Sequence, residues 1–212
     1  MLKYNKKGEM CFMNKVVTIG REFGSGGREI GRRLAEKLGF EYYDNEIISE
    51  IAKRTALSEK YVKEVIEHNP HELFPITVGH SFSYINTYVL DKKQAVFREK
   101  ENVLKQMAET SSCVIVGRCA DEILREYNPF RIFVYADEKS KLLRCKIRSD
   151  SGKEMTDKQI RRRMKEIDKH RSKYYTFFTG KTWGDKLNYD VCVNTTNADI
   201  EKIVDYLAKA LQ

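Results

Sequence analysis

The sequence predicts an α/β domain: a three-layer fold in which a five-stranded, mostly parallel sheet is flanked by helices. Two observations carry this. Five short apolar runs, VVTI at 16–19, FEYYD at 40–44, CVIVG at 113–117, FRIFVYA at 130–136 and YDVCVN at 189–194, are continuously apolar and do not alternate, as expected of parallel strands covered on both faces. Helical patterns lie between them, the alternation that builds a layered α/β domain. With 212 residues, 33% of them charged and 41% hydrophobic, the chain supports one sizeable core. Residues 14–212 therefore read as a single domain. Residues 1–13 read as a disordered or loosely attached extension, and Met13 offers a second start.

The elements follow in order. After the first strand the chain breaks into glycines, and a helix runs from about Gly27 to Leu38, with Ile30, Leu34 and Leu38 on one face and Gly39 placed to close it left-handed. A second helix spans about Asn45 to Arg54. Ser58 is placed to cap EKYVKEVIEH, while HNPHELFPIT holds two of the three prolines and reads as loop. Residues 91–110 form a long charged helix before the third strand. Thr156 and Gln159 form a capping box that opens a basic helix reaching about Tyr174. Thr195 and Thr196 are placed to cap the last helix, about 198–211.

The formal net charge of +8 favours polyanionic partners. The basic residues interleave with acidic ones on helices, and nothing resembles a recognition helix or an aromatic stacking sheet, so nucleic acid is not the expected partner. The five cysteines include no C-x-x-C pair or metal-ligand spacing, which points to a reducing cytoplasm. Cys113 and Cys192 sit in apolar runs and read as small buried hydrophobes. No apolar stretch reaches the ~18 residues of a membrane helix.

The informative stretch is VVTIGREFGSGGREIGRRLAEKLG. Strand, glycine-rich turn and helix together bring backbone N–H groups and a positive helix end onto an anion. Gly24, Ser25, Gly26 and Gly27 form the turn, with Arg21 and Arg28 flanking it as guanidinium forks for phosphate. The G-x-x-x-x-G-K-[ST] pattern is not met, because Arg28 and Glu29 follow the glycines. A dinucleotide site is the rival reading, since Asp44 closes the second strand 20 residues after Gly24, but Glu29 stands where G-x-G-x-x-G needs its last glycine.

From Lys15 onward the chain resembles the cytidylate kinase-like branch of the P-loop nucleoside monophosphate kinases. IGREFGSGGREIGRRLAEKLG looks like that branch's opening, in which the lysine is also commonly absent. FEYYDNEIISEIA, which contains Asp44, is similar to its second strand and first substrate-side helix. CVIVGRCADEIL, FRIFVYADEKSKLLRCKIR and DKHRSKYYTFFTGKTWGDKLNYDVCVNTT resemble the later segments. The resemblance implies a P-loop NTPase fold with an acceptor-binding helical region at about 45–110 and a helical lid at about 141–175. It also implies phosphoryl transfer from ATP, with Mg2+, to CMP, dCMP or a related small acceptor. On that reading Arg118 holds the acceptor, and Lys141, Arg144, Arg148, Arg162 and Arg163 supply lid charge. Asp168 and Arg171 form the acceptor site's D-x-x-R, although Met164 stands where the family usually has an arginine. Cys119 replaces an acid, for which Asp121 is the substitute. If the loop holds one extra residue, Arg28 takes the lysine's role and Glu29 offers a metal ligand. If it does not, Gly27 replaces the lysine. Tyr174, Tyr175 and Trp183 read as core or loop-anchoring aromatics. A nucleotide-binding module without turnover is the alternative function, and a nucleic-acid-binding domain a more distant one. The sequence assigns no role to residues 68–90 and no oligomeric state.

Overall fold

A computed structural model of the chain describes residues 2–4, 10–12, 14–67, 87–147 and 155–211. Strands β1 (Leu2–Tyr4) and β2 (Met10–Phe12) pair antiparallel, with Leu2 opposite Phe12. The sequence shows no strand pattern there. The five apolar runs become β3 (Val16–Arg21), β4 (Glu41–Tyr43), β5 (Cys113–Val116), β6 (Phe130–Tyr135) and β7 (Val191–Asn194). They form one all-parallel sheet in the order β4-β5-β3-β6-β7. β3 is central, with Ile19 level with Val116 on one side and Ile132 on the other. From central β3 the chain crosses to the edge strand β4, returns inward to β5, and then passes to the other side of β3 for β6 and β7, so a crevice opens at the carboxyl ends of β3, β5 and β6.

Among the described residues the α-helices are α1 (Gly27–Leu38), α2 (Glu46–Thr55), α3 (Glu59–Glu67), α4 (Thr87–Thr110), α5 (Ala120–Ile123), α6 (Glu138–Ile147), α7 (Asp157–Thr179) and α8 (Ile200–Leu211). Alternate strand residues enter two cores. Val17, Ile19, Val114, Val116, Ile132 and Val134 meet Ile30 and Leu34 of α1 and Val204 and Leu207 of α8. Val16, Cys113 and Ile115 meet Ile47, Ile51, Val62, Val96 and Leu104 on the opposite face. Coverage on both faces is why the runs are continuously apolar.

Helix ends follow local chemistry. Gly39 closes α1 at φ 67°. Thr156 and Gln159 form the reciprocal capping box of α7, which continues to Thr179, beyond the expected end at Tyr174. Thr195 and Thr196 do not cap α8: the Asp199 carboxylate accepts from Glu201 N, while Thr196 Oγ1 accepts from Asp137 N. Cys113 is buried as expected, but Cys192 is exposed. It lies on the sheet-edge strand β7, where Val191 and Val193 pack against the α1–α8 core and the intervening residues do not.

Candidate functional site

The cleft is carved where the strand faces carry small residues. Gly20 follows Thr18 on one face of β3, and a Cβ there would stand 2.9 Å from the Phe133 ring. At Gly117, directly after β5, a Cβ would collide with the Arg21 guanidinium, which lies across it. The resulting cavity of ≈ 870 Å3 runs from the glycine turn past Arg118, Cys119 and Asp121 to Tyr174, Tyr175, Trp183 and Tyr189.

The turn between β3 and α1 is held on several sides. Gly24 (φ 79°) and Gly26 (φ 89°) adopt left-handed conformations that favour glycine. Ser25 is fully buried, and its Oγ donates to Glu22 O at 2.9 Å. Thr195 Oγ1 donates to Ser25 O at 2.7 Å, and Arg144 donates to the Thr195 carbonyl. From α7, the Asp168 carboxylate accepts from Phe23 N at 2.8 Å, while Arg171 donates to Arg21 O at 3.1 Å. Lys141 of α6 pairs with Glu22 at 2.8 Å.

Cations converge on this turn. Asp44, 5% exposed, pairs with Arg28 at 2.7 Å and with Arg21 at 3.7 Å. Burial, and then the Arg171 guanidinium, push the Arg21 pKa well down against the opposing pull of Asp44. Because arginine does not deprotonate in proteins, Arg21 stays a charge held in an unfavourable buried position, one that an arriving anion would relieve. Arg118 lies on a run of positive φ, with Gly117 at 78°, Arg118 at 64° and Cys119 at 54°. Asp121, whose pKa is raised by burial, accepts from the Tyr175 hydroxyl at 2.7 Å.

Residues 16–197 match the cytidylate kinase-like family. The chain belongs to that family. Among solved structures, an uncharacterized protein from Eubacterium ventriosum ATCC 27560 is similar at 27% identity and TM-score 0.65, covering 93% of this chain and 98% of that one. Shikimate kinase from Bacteroides thetaiotaomicron is similar at 17% identity and TM-score 0.54, covering 93% and 98%. TT1252 from Thermus thermophilus is similar at 13% identity and TM-score 0.53, covering 95% and 100%. No curated protein matches. The fold is that of the P-loop kinases.

Against this cytidylate kinase-like frame, the cleft brings together Arg21, Gly24, Gly26, Gly27, Arg28, Arg118, Asp121, Arg144, Arg163 and Arg171. Arg163 edges it, 6.0 Å from the Phe23 ring, while its neighbour Met164 is buried against Leu142 and Ile160. Asp168 lies behind the loop backbone and Asp44 behind the arginines. Ser25 also faces inward, away from the cleft. Glu29 lies off the cleft, its carboxylate 2.8 Å from Arg33 one turn on. Arg162 faces solvent beside Glu166. Arg148 and residues 68–86 lie outside the described residues. Sequence reasoning missed Phe23, Lys63, Lys100 and the latch role of Thr195. Lys100 left a signal: it interrupts the apolar stripe Val96, Val103, Leu104 and Met107 of α4.

The lining fits a nucleoside triphosphate. It offers a cradle where a Cβ would collide, a helix N-terminus, and two buried polar atoms, Arg21 Nε and Thr18 Oγ1, with no hydrogen-bond partner among the described residues. It does not offer a preformed magnesium cage: no group of three His, Cys, Asp or Glu converges among the described residues, and Glu22 is engaged by Lys141.

Gly24→Ala places a Cβ 2.9 Å from Cys145 Sγ and 3.0 Å from Lys141 O at φ 79°. The backbone strain alone is ~1–2 kcal/mol. The expected result in calorimetric titration is at least tenfold weaker triphosphate binding, with a lowered Tm.

Proposed function

We propose that this cytidylate kinase-like protein transfers the γ-phosphoryl group of ATP to a nucleoside monophosphate, CMP, dCMP or a related small acceptor, with Mg2+ entering on the triphosphate. The observation that supports this most is the convergence of Arg21 of β3, Arg28 of α1, Arg118 after β5, Arg144 of α6, and Arg163 and Arg171 of α7 on one cleft beside the glycine turn. Phosphoryl transfer requires little of a protein except positioning and charge neutralisation.

In this reading the turn and the α1 N-terminus hold the β- and γ-phosphates. Arg28, half exposed and tethered to Asp44, takes the role of the missing lysine because a guanidinium keeps its charge and grips bidentately. Arg118 holds the acceptor phosphate, and Asp121 with Tyr175 lines the wall beyond it. The region about 45–110 forms the acceptor side. The region about 141–175 is the lid, bringing Arg144 and Arg163 over the reacting phosphoryl and excluding water. Asp168 and Arg171 couple the lid helix to the loop, since both bond its backbone.

The test is mass-spectrometric product detection with protein, ATP, Mg2+ and a panel led by CMP, dCMP and UMP. The expected result is a nucleoside diphosphate. Tight ATP binding with no product from any acceptor would instead indicate a nucleotide-binding module without turnover.

A further inference from the structure

Lys100 on α4 is 2% exposed, and no carboxylate pairs with it among the described residues. Its ammonium donates to Tyr174 Oη at 2.8 Å and stands 4.8–5.4 Å from the ring centroids of Phe97, Tyr174 and Phe178. An ammonium has donors only, so Tyr174 Oη must accept, which frees the phenolic proton to be donated elsewhere. Tyr174 lines the main cleft together with Arg118 and Cys119.

We propose that Lys100 is a positioning residue of the acceptor site: it sets Tyr174 as a hydrogen-bond donor toward the cleft and adds its charge to that of Arg118, so that the acceptor's phosphate is met by a paired positive field. The inference rests on the reading of Arg118 as the phosphate-holding group.

The surroundings of Lys100 agree with it. Burial brings its pKa down to about 8, and Arg118 lowers it further against the raising pull of Glu101. On its far side a ≈ 220 Å3 cavity is lined by Lys105, Glu122 and Phe178 in addition to Glu101 and Cys119. Burial pushes the Cys119 thiol up to about 12 and the Tyr174 phenol well above its usual range, so both stay neutral near pH 8. A phosphate dianion beside Arg118 favours the charged form of Lys100. Above pH ~8, binding must therefore take up a proton, and affinity falls as pH rises, by at most about tenfold per unit for a single proton.

The experiment measures binding of CMP and, separately, of sulfate by calorimetry from pH 7 to 9.5 with wild type, Lys100→Arg and Lys100→Met. Neither probe changes charge in that range, since the second pKa of a phosphate monoester is near 6. Wild type is expected to weaken above pH 8. Lys100→Arg, charged throughout, is expected to show a flat profile over the same range. Lys100→Met is expected to bind about tenfold more weakly at pH 7, with a larger change in acceptor KM than in kcat. A pH profile for Lys100→Arg that tracks wild type, or unchanged affinity in a folded Lys100→Met, overturns the proposal. Sulfate binding with the expected profile alongside no binding of CMP would keep the Lys100 inference and remove the nucleotide acceptor.

Discussion

On the proposed kinase reading, Arg118→Ala is expected to lower kcat/KM for acceptor phosphorylation by roughly 10²–10³-fold, or about 3–4 kcal/mol, the scale on which a preorganised donor to developing charge acts. Triphosphate binding changes far less. The expectation follows from how the chain presents this side chain. Gly117, Arg118 and Cys119 all have positive φ, and each non-glycine residue in that region costs ~1–3 kcal/mol unless its surroundings impose it. Here β5 leads in, and α5, capped by Cys119, leads out. Because Gly117 lacks a Cβ, the Arg21 guanidinium lies directly over the turn. Two guanidinium groups, Arg21 and Arg118, thus share one corner of the cleft, and Asp44 is engaged by Arg21 and Arg28. Lys at position 118 would restore the charge but not the planar fork, so Arg118→Lys recovers only part of the rate. Steady-state kinetics with varied CMP, together with calorimetry for ATP, separates the two sites. Unchanged acceptor kinetics in Arg118→Ala would place the acceptor phosphate elsewhere.

Asp44→Ala is expected to destabilise the fold by about 3–5 kcal/mol, the cost of leaving a buried charge without its partner. The affected group is mainly Arg21, whose side chain is 12% exposed, while the half-exposed Arg28 can turn to solvent. Arg21 is already loaded by burial and by the Arg171 guanidinium, so removing Asp44 takes away the raising influence that the described residues place on it. A bound anion supplies the missing countercharge. Sulfate should therefore stabilise Asp44→Ala more than it stabilises wild type, an effect read from urea midpoints with and without the salt. Equal sulfate stabilisation of both proteins would show that the arginines do not face the anion site.

The strand cores were legible because burial on both faces leaves a run without alternation, and Val16–Ile19, Cys113–Val116 and Phe130–Tyr135 carry that mark. The span of α1 was equally legible, since its apolar stripe ends at a glycine that can close it. Edge strand β7 was recognised, but the exposure of Cys192 was not, because a run of six residues does not reveal that it ends a sheet. Within the site, glycines and arginines near the turn could be named from their spacing. Their partners could not: Asp168 reaches Phe23 N across 145 residues and Thr195 reaches Ser25 O across 170.

The sequence alone determined the layered α/β class, the glycine turn between strand and helix, and the family, because these are written in local periodicity and in short stretches of residues. Only the tertiary structure decided that Asp44 bridges two arginines, that Asp168 and Arg171 grip the loop backbone, and that Lys100 stands caged behind Tyr174. Those pairings depend on which elements the sheet order brings side by side, and a charged residue in a helical pattern reads the same whether it meets solvent, a partner or an aromatic cage.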